Sequence, residues 1–557
     1  MRRVIAPFSS FALVCALALA ASAQVNPPVT PPPGPVNPPG GIVTPGTAPT
    51  VTPIETQPIP GAPTPVPTAE PTQPPIVIEP PRIGVEPQKR ASARINSSLG
   101  TLSVTVADPT VANAVVDQPQ RVLYVDGLKL GSTTVTVTDA RGVSRTIPVL
   151  VAYAAGTVAD DTSLRLTGNP ASAVYLRDAA AEAAARAATM RPGAAIHVSA
   201  DTIAVRGELK LDNRTQVDVP VTIDGNGYFG VSGTTRVSVE NVALPPIFPH
   251  RLLVSDYPER LTADGVLFTA RLDTKTPQRF LYYHFNPATE PARRILLKAR
   301  NGSNAPATVQ MVSGSAGPGA NEAEVGHLST KRFLVHEARN EGTIVTVAPG
   351  ATLNLVDHLL PPSNVSSAIL QLRLVNGDPL DLTLVAQSAN APLDQDVNTT
   401  QLLSGGAPHA RGVYPVPTFY FERTYDVDGA DLEIPIGQLP LPNLREGEAL
   451  SGDYGVEQSM TVIINNMTRG PRNVALYANP RGGKATGTFL IDGTLVQAHG
   501  LPAFSKYKIW QERINPGTFR RIHVVTMPEG GSSYPLRLIF APDDGSVPPF
   551  APGSPIY

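Results

Sequence analysis

Residues 107–142, ADPTVANAVVDQPQRVLYVDGLKLGSTTVTVTDARG, decide how the chain is read. Short apolar runs alternate with polar residues, and each run stops at Gly, Asp or Pro. Val135 and Val137 fall on one side of the run, and Thr134, Thr136 and Thr138 on the other. That two-residue period belongs to a half-buried strand. Asp126-Gly127 and Arg141-Gly142 have turn chemistry, and IPVLVAY (147–153) makes a closing strand. Strands this short and this closely spaced predict a small Ig-like β-sandwich over residues 91–157.

The segment resembles two bacterial modules. Gly131, Thr133, Val135, Thr136 and Val137 match the Gly-x-Thr-x-Val-Thr-Val strand of BIG-type Ig-like domains. Ala107, Asp108, Pro109, Val111 and Ala112, followed by Gly127, Gly131, Thr133, Val135 and Val137, match the N-terminal domain of pilus-assembly secretins. Both resemblances imply a structural or adhesive module without an active site. The large gate-forming β domain of a secretin has no counterpart in the sequence.

Working outward toward the N-terminus, MRRVIAPFSSFALVCALALAASAQ joins two arginines to an apolar run and an A-x-A end. These are the parts of a secretory signal peptide (1–23) cut between Ala23 and Gln24, and the run is too short to span a bilayer. Cys15, the single cysteine, lies inside it, so the exported chain has no thiol, disulfide or cysteine ligand. A cysteine-free exported chain of this size reads as bacterial. No second apolar run of membrane-spanning length follows, so no transmembrane segment is expected after signal cleavage. Residues 24–90 hold 22 of the 60 prolines, which rules out a ladder or helix and predicts a Pro-rich linker. Fully extended, the linker reaches roughly 200 Å at about 3.1 Å per residue.

The formal net charge of −2, with 16% charged residues, leaves no basic stripe to collect phosphates. Nucleic acid is therefore not an expected partner.

Beyond the Ig-like segment, residues 158–245 read as a small α+β module. Asn169 and Pro170 suit the cap and first turn of a helix that stops at Pro192-Gly193. Its apolar face is Leu176, Ala180, Ala183, Ala187 and Met190. Farther on, two segments share a layout. ILLKARNGSNAPATVQMV (295–312) matches MTVIINNMTRGPRNVALY (460–477), which places Asn301 opposite Asn466. Pro349-Gly350 then falls opposite Pro516-Gly517, and Pro361 opposite Pro528. These anchors predict an internal duplication: β-sandwich repeat 1 over 246–395, a linker over 396–414 and β-sandwich repeat 2 over 415–557. Each repeat is long enough to bury its own core without disulfides. SDYPERLTADGVLF, FLYYHFNP and TMPEGGSSYP resemble segments of uncharacterised secreted bacterial β-rich proteins, a resemblance that carries no catalytic residues.

Candidate chemistry is sparse. GNGYFG (225–230) has G-x-G-x-x-G spacing, but the residues after it are strand-like, so it reads as a hairpin loop and not a dinucleotide site. Asp426, Asp428 and Asp431 in DVDGADLE could supply oxygen ligands to calcium, although the spacing is not that of an EF-hand. Tyr282, Tyr283 and Trp510 could form a stacking platform for sugars. His284 sits among aromatics and reads as a packed histidine. No G-x-S-x-G elbow or H-x-x-x-H pair occurs, and no cofactor is implied.

The fold expected is mainly β: a chain of Ig-like and larger β-sandwiches with one short α+β module, behind a signal peptide and a Pro-rich linker. The function expected is an exported, periplasmic or surface, cell-envelope protein with a structural, adhesive or scaffolding role. Its partner would be an envelope polymer or a surface-assembly protein. The alternative is a secreted carbohydrate-binding protein or hydrolase with a site between the two C-terminal sandwiches, marked by converging carboxylates or exposed aromatics.

Overall fold

The computed structural model describes residues 74–395 and 401–548, together with the backbone of Ser554–Pro555. The signal peptide, nearly all of the Pro-rich segment and residues 396–400 lie outside the described residues. The protein is mainly β, a chain of stacked sheets with two α-helices among the described residues.

The quoted stretch is the centre of a small sandwich. One sheet has the order Val77–Glu79, Arg90–Asn96, Val122–Gly127, Ala112–Asp117; the other has Ile83–Val85, Ser144–Val151, Gly131–Thr138, Ser103–Val106. Val135 and Val137 are fully buried and pack in one core with Leu123, Val125, Ile147 and Val149. The sandwich begins earlier than expected from proline content. Ile76, Ile78, Ile83 and Val85 are buried in the same core. The prolines at 80 and 81 occupy the connection between two short edge strands, where no ladder N–H is needed.

Helix α1 spans Ala173–Ala187, and its N-cap is Ser172, whose Oγ accepts from the backbone N–H of Tyr175 at 3.2 Å. The expected cap, Asn169, lies outside the helix, and Met190 belongs to a short strand beyond it. The α+β segment is also not a separate module. Its strands Ala194–His197, Arg214–Gly225, Val231–Asn241 and Asp161–Thr167 lie at one end of a ten-stranded sheet. Asp161–Thr167 would otherwise present an open edge; it pairs instead with Gly342–Val347 of the next sandwich.

Two larger sandwiches follow. The first contains β1 (Arg251–Ser255), β2 (Gly265–Leu272), β3 (Gln278–Asn286), β4 (Arg293–Arg300), β5 (Ala307–Gly319), β6 (Gly342–Val347), β7 (Thr352–Leu360), β8 (Asn364–Asn376) and β9 (Leu380–Ser388). The second contains β10 (Thr418–Asp426), β11 (Leu432–Ile436), β12 (Glu457–Asn466), β13 (Arg472–Pro480), β14 (Ala485–Ile491), β15 (Thr494–Leu501), β16 (Tyr507–Ile514), β17 (Thr518–Thr526) and β18 (Leu536–Pro542). In the first, sheet orders are β1-β3-β8-β5-β6 and β2-β9-β4-β7; in the second, β10-β12-β17-β14-β15 and β11-β18-β13-β16. Adding nine to each label of the first yields the second, including a parallel pair (β1 with β3, β10 with β12) among otherwise antiparallel neighbours.

The residue correspondence differs from the sequence alignment by one strand. Asn466 ends β12, so its positional counterpart is Asn286 at the end of β3. Asn286 Nδ2 donates to Pro291 O and Leu360 O, and Asn466 Nδ2 to Gly470 O and Ile514 O, in each case fastening the same two strand ends. Asn301 was a plausible partner because it builds a similar corner on the opposite sheet. It donates to Ala305 O and Val347 O while Ser303 bonds its Oδ1, as Thr468 bonds Asn466.

Two further features depart from expectation. Helix α2 (Glu322–Ala338) is inserted between β5 and β6, capped by Asn321. It packs on β5 and β8 on one side and on β14 of the second sandwich on another. Its buried residues include Gly326, His327, Ser329 and Thr330 beside Val325, Phe333 and Leu334, so no clean apolar stripe marks it in sequence. The expected linker is also structured after residue 400: Leu402 bridges to Val266, and Arg411–Tyr414 pairs with β1.

Candidate functional site

The residues singled out from sequence do not converge. Tyr282 is fully buried in the first sandwich's core, with its hydroxyl 2.7 Å from His358 Nδ1, and Trp510 packs half-buried against the core of the second. A shared stacking platform is thereby ruled out. Asp426, Asp428 and Asp431 sit on an exposed turn; Asp426 accepts from Asn465 Nδ2 at 3.1 Å, and its carbonyl closes the turn with Gly429 N–H. Among the described residues, no group of three His, Cys, Asp or Glu side chains gathers to hold a metal ion, so the calcium loop is not assembled. His284 is fully buried between Ser255 Oγ and Pro258 O, and burial pushes its pKa down to about 4. GNGYFG joins the antiparallel strands Arg214–Gly225 and Val231–Asn241 as a hairpin.

What sequence reasoning missed lies along the seam between the two large sandwiches. Arg279, on β3, is 0% exposed. Its guanidinium donates to Gln371 Oε1 (2.9 Å), Pro417 O (2.5 Å), Glu337 Oε1 (3.2 Å) and Glu457 Oε2 (2.8 Å). Glu337 comes from α2 and Glu457 from β12, so one cation ties both sandwiches and the helix. Burial and the neighbouring charge of Glu457 push the Glu337 pKa up to about 8, against the pull of Arg279.

A second junction centres on His327 of α2, fully buried against Glu529 (3.0 Å) and Gln497 Oε1 (3.2 Å), with Thr488 Oγ1 donating to the same carboxylate at 2.6 Å. Burial alone would lower the His327 pKa. The hydrogen bond and charge of Glu529 outweigh it, and the pKa is raised.

Between these junctions lies a cavity of about 360 Å³, walled by both sandwiches and the N-terminus of α2. Asp256 and Glu259 follow β1, Glu322 opens α2, and Glu448 comes from the loop before β12. His409 bridges two of these carboxylates, Nδ1 to Asp256 at 3.3 Å and Nε2 to Glu259 at 3.2 Å. Its hydrogen bond to Asp256 raises its pKa, while burial raises that of Asp256 to about 6. The wall opposite is Gly530-Gly531. A Cβ on Gly530 would lie 2.7 Å from the Tyr283 ring, and one on Gly531 would lie 2.8 Å from its hydroxyl. The cavity is where the alternative sequence reading places a site; carboxylates line it together with Tyr283, which is buried, and Tyr454, which is half-buried.

Comparison with known proteins bears on the N-terminal sandwich. Residues 88–152 match the pilus formation protein N-terminal region. The match confirms the resemblance carried by Ala107–Ala112 and Gly127–Val137. Among solved structures, the chain is similar to domains 5–6 of the S-layer protein SbsC, with 15% identity over 30% of this chain and 96% of that one and a TM-score of 0.14. It is similar also to a tri-modular GH5 endo-β-1,4-glucanase from Bacillus licheniformis (9% identity, 30% of this chain, TM-score 0.14), of which it spans 38%. Carbohydrate-binding modules of the β-sandwich superfamily match at 12% identity over 57% of this chain and 99% of theirs, TM-score 0.16. Similarities this weak bear on neither activity nor ligand. No curated protein matches the chain.

Proposed function

We propose that the protein is an exported bacterial envelope protein with a scaffolding role, whose pilus-type N-terminal sandwich docks it on a surface assembly. The observation that carries this reading is the family match over 88–152, on a chain whose signal-like start and cysteine-free body suit the periplasm or cell surface. The rest of the described chain supports a rigid spacer: a ten-stranded sheet runs from the α+β segment into the first sandwich, and buried polar junctions fasten the second to it. We read the two sandwiches as products of one duplication, since every strand of the first has a counterpart in the second. Docking is assigned to the turn Leu128–Leu130, where Leu128 and Leu130 are 50% and 55% exposed. The test is site-specific photo-crosslinking from Leu128 or Leu130 in living cells. Capture of a surface-assembly or envelope component from these positions, and not from Val375 on the first sandwich, is expected; equal capture from both would overturn the assignment.

The alternative, a carbohydrate-binding protein or hydrolase, is favoured by the acidic cavity. Against a sugar platform stand the burial of Tyr283 and the engagement of Tyr454, whose hydroxyl donates to Ser532 O and whose ring packs edge-on to Tyr534.

A further inference from the structure

Away from the seam, one buried ion pair brings an amine against a carboxyl group. Lys508, near the start of β16, is the one buried lysine among the described residues. Its Nζ lies 2.7 Å from Oδ1 and 2.9 Å from Oδ2 of Asp543, just past the end of β18, and 3.1 Å from Gln511 Oε1. The two side chains are 3% and 11% exposed. β13 runs between β16 and β18, so the pair reaches over a whole strand, and Tyr477 is the residue of that strand paired with Lys508. Tyr477 packs with Ala475, Ile539 and Ala541, an apolar cluster that lowers the dielectric around the pair.

An ion pair this buried is costly to keep, because neither charge has its water. Proton transfer along the 2.7 Å hydrogen bond gives a neutral amine and a carboxylic acid, the forms that burial favours. Desolvation is also what makes a lysine amine a nucleophile. With both carboxyl oxygens within 2.9 Å, the amine stands against the carboxyl carbon of Asp543 at contact distance. The Gly545 N–H donates to Oδ1 at 3.1 Å, a fixed donor at an oxygen that gains negative charge on attack. Burial and the charge of Asp543 push the Tyr477 phenol up to about 12, so it stays protonated near the same carboxylate. We propose that Lys508 and Asp543 condense to an intramolecular amide. The Nζ–Cγ bond forms, one Cγ–O bond breaks, and that oxygen leaves as water with the acid's proton and one from nitrogen. No electrons are exchanged and no co-reactant enters. The link closes a ring from 508 to 543 and locks the end of β18 to β16 across β13. Such a link goes beyond the scaffold reading and does not depend on it.

The test is tryptic mass spectrometry of the exported chain. Cleavage after Lys506, Arg513 and Arg537 should leave YKIWQER (507–513) joined to the peptide that starts at Leu538. The joined species should be one water lighter than the sum of the two, uncut at Lys508, and recovered from most chains; it carries the single tryptophan, Trp510. Lys508→Arg keeps the charge and should release the two segments separately at their unmodified masses. Wild-type protein cut at Lys508, with both segments at unmodified mass, would overturn the proposal. So would a water loss confined to the segment after Arg537, the mark of a succinimide at Asp544-Gly545, or a joined species that persists in Lys508→Arg.

Discussion

Replacing Arg279 with methionine keeps most of the apolar stem and removes the charge that joins three elements. At pH 7 Glu337 holds its proton, so the Glu457 carboxylate is then left without its cation in the seam, and Pro417 O and Gln371 Oε1 lose their donor. Removing one partner of a buried ion pair costs about 3–5 kcal/mol, and Arg279 at 0% exposed has no solvent to soften the loss. About 4 kcal/mol is the expected destabilisation, read from urea unfolding of the described region at pH 7. Most of it arises from uncompensated negative charge, so the triple variant R279M/E337Q/E457Q should recover at least half. The wild type carries a matching pH signature. Glu337 is raised from its ordinary 4.5 to about 8, so the folded state holds this proton more tightly than the unfolded chain. Its contribution to stability therefore falls as pH rises from about 4.5 to about 8 and is level above that. A loss under about 1 kcal/mol for R279M, or a triple variant no more stable than the single one, would refute the reasoning.

Gly326→Ala should be among the most damaging small substitutions, since a Cβ there would lie 1.8 Å from Gly530 O, which is backbone and cannot swing away. A loss of about 3 kcal/mol in urea unfolding is expected, at the upper end of overpacking effects. His327 is raised above its ordinary 6.5 by Glu529, so its stabilisation is complete below about 6.5 and fades as pH rises through the folded value. The fall in melting temperature between pH 6 and pH 8.5 should accordingly be shallower in His327→Gln. Asn466→Ala and Asn286→Ala remove equivalent corners, and denaturant titration should show similar losses of about 2 kcal/mol each. Calcium should leave the melting temperature unchanged, in the wild type and in Asp426→Asn alike, because the loop does not gather its carboxylates.

The strands were legible in the sequence where one face is buried and the other wet. Val135 and Val137 alternate with threonines because their strand covers a core on one side only. Helix α2 was not legible for the opposite reason: it is covered by both sandwiches, so His327, Ser329 and Thr330 are as buried as Phe333, and periodicity is erased. Proline content was misleading at 77–85, where isoleucines between the prolines fill the core. The shared strand order of the two sandwiches left a trace in their corner asparagines, yet the same corner chemistry recurs on both sheets, which is how Asn301 stood in for Asn286. The seam between the sandwiches was named as the place for a site in the alternative reading, but none of the residues of the acidic cavity could be read from sequence. Asp256, Glu322, Glu448 and the Gly530-Gly531 wall lie far apart in sequence and meet only once the sandwiches pack together.

The account rests on the pilus-type sandwich being what holds the protein at the envelope. Cell fractionation after crosslinking, comparing the whole chain with one lacking residues 74–152, tests this most directly. The whole chain should be recovered with an envelope assembly, and the shortened chain should be released as a freely diffusing pool. Equal retention of the two chains would contradict the account.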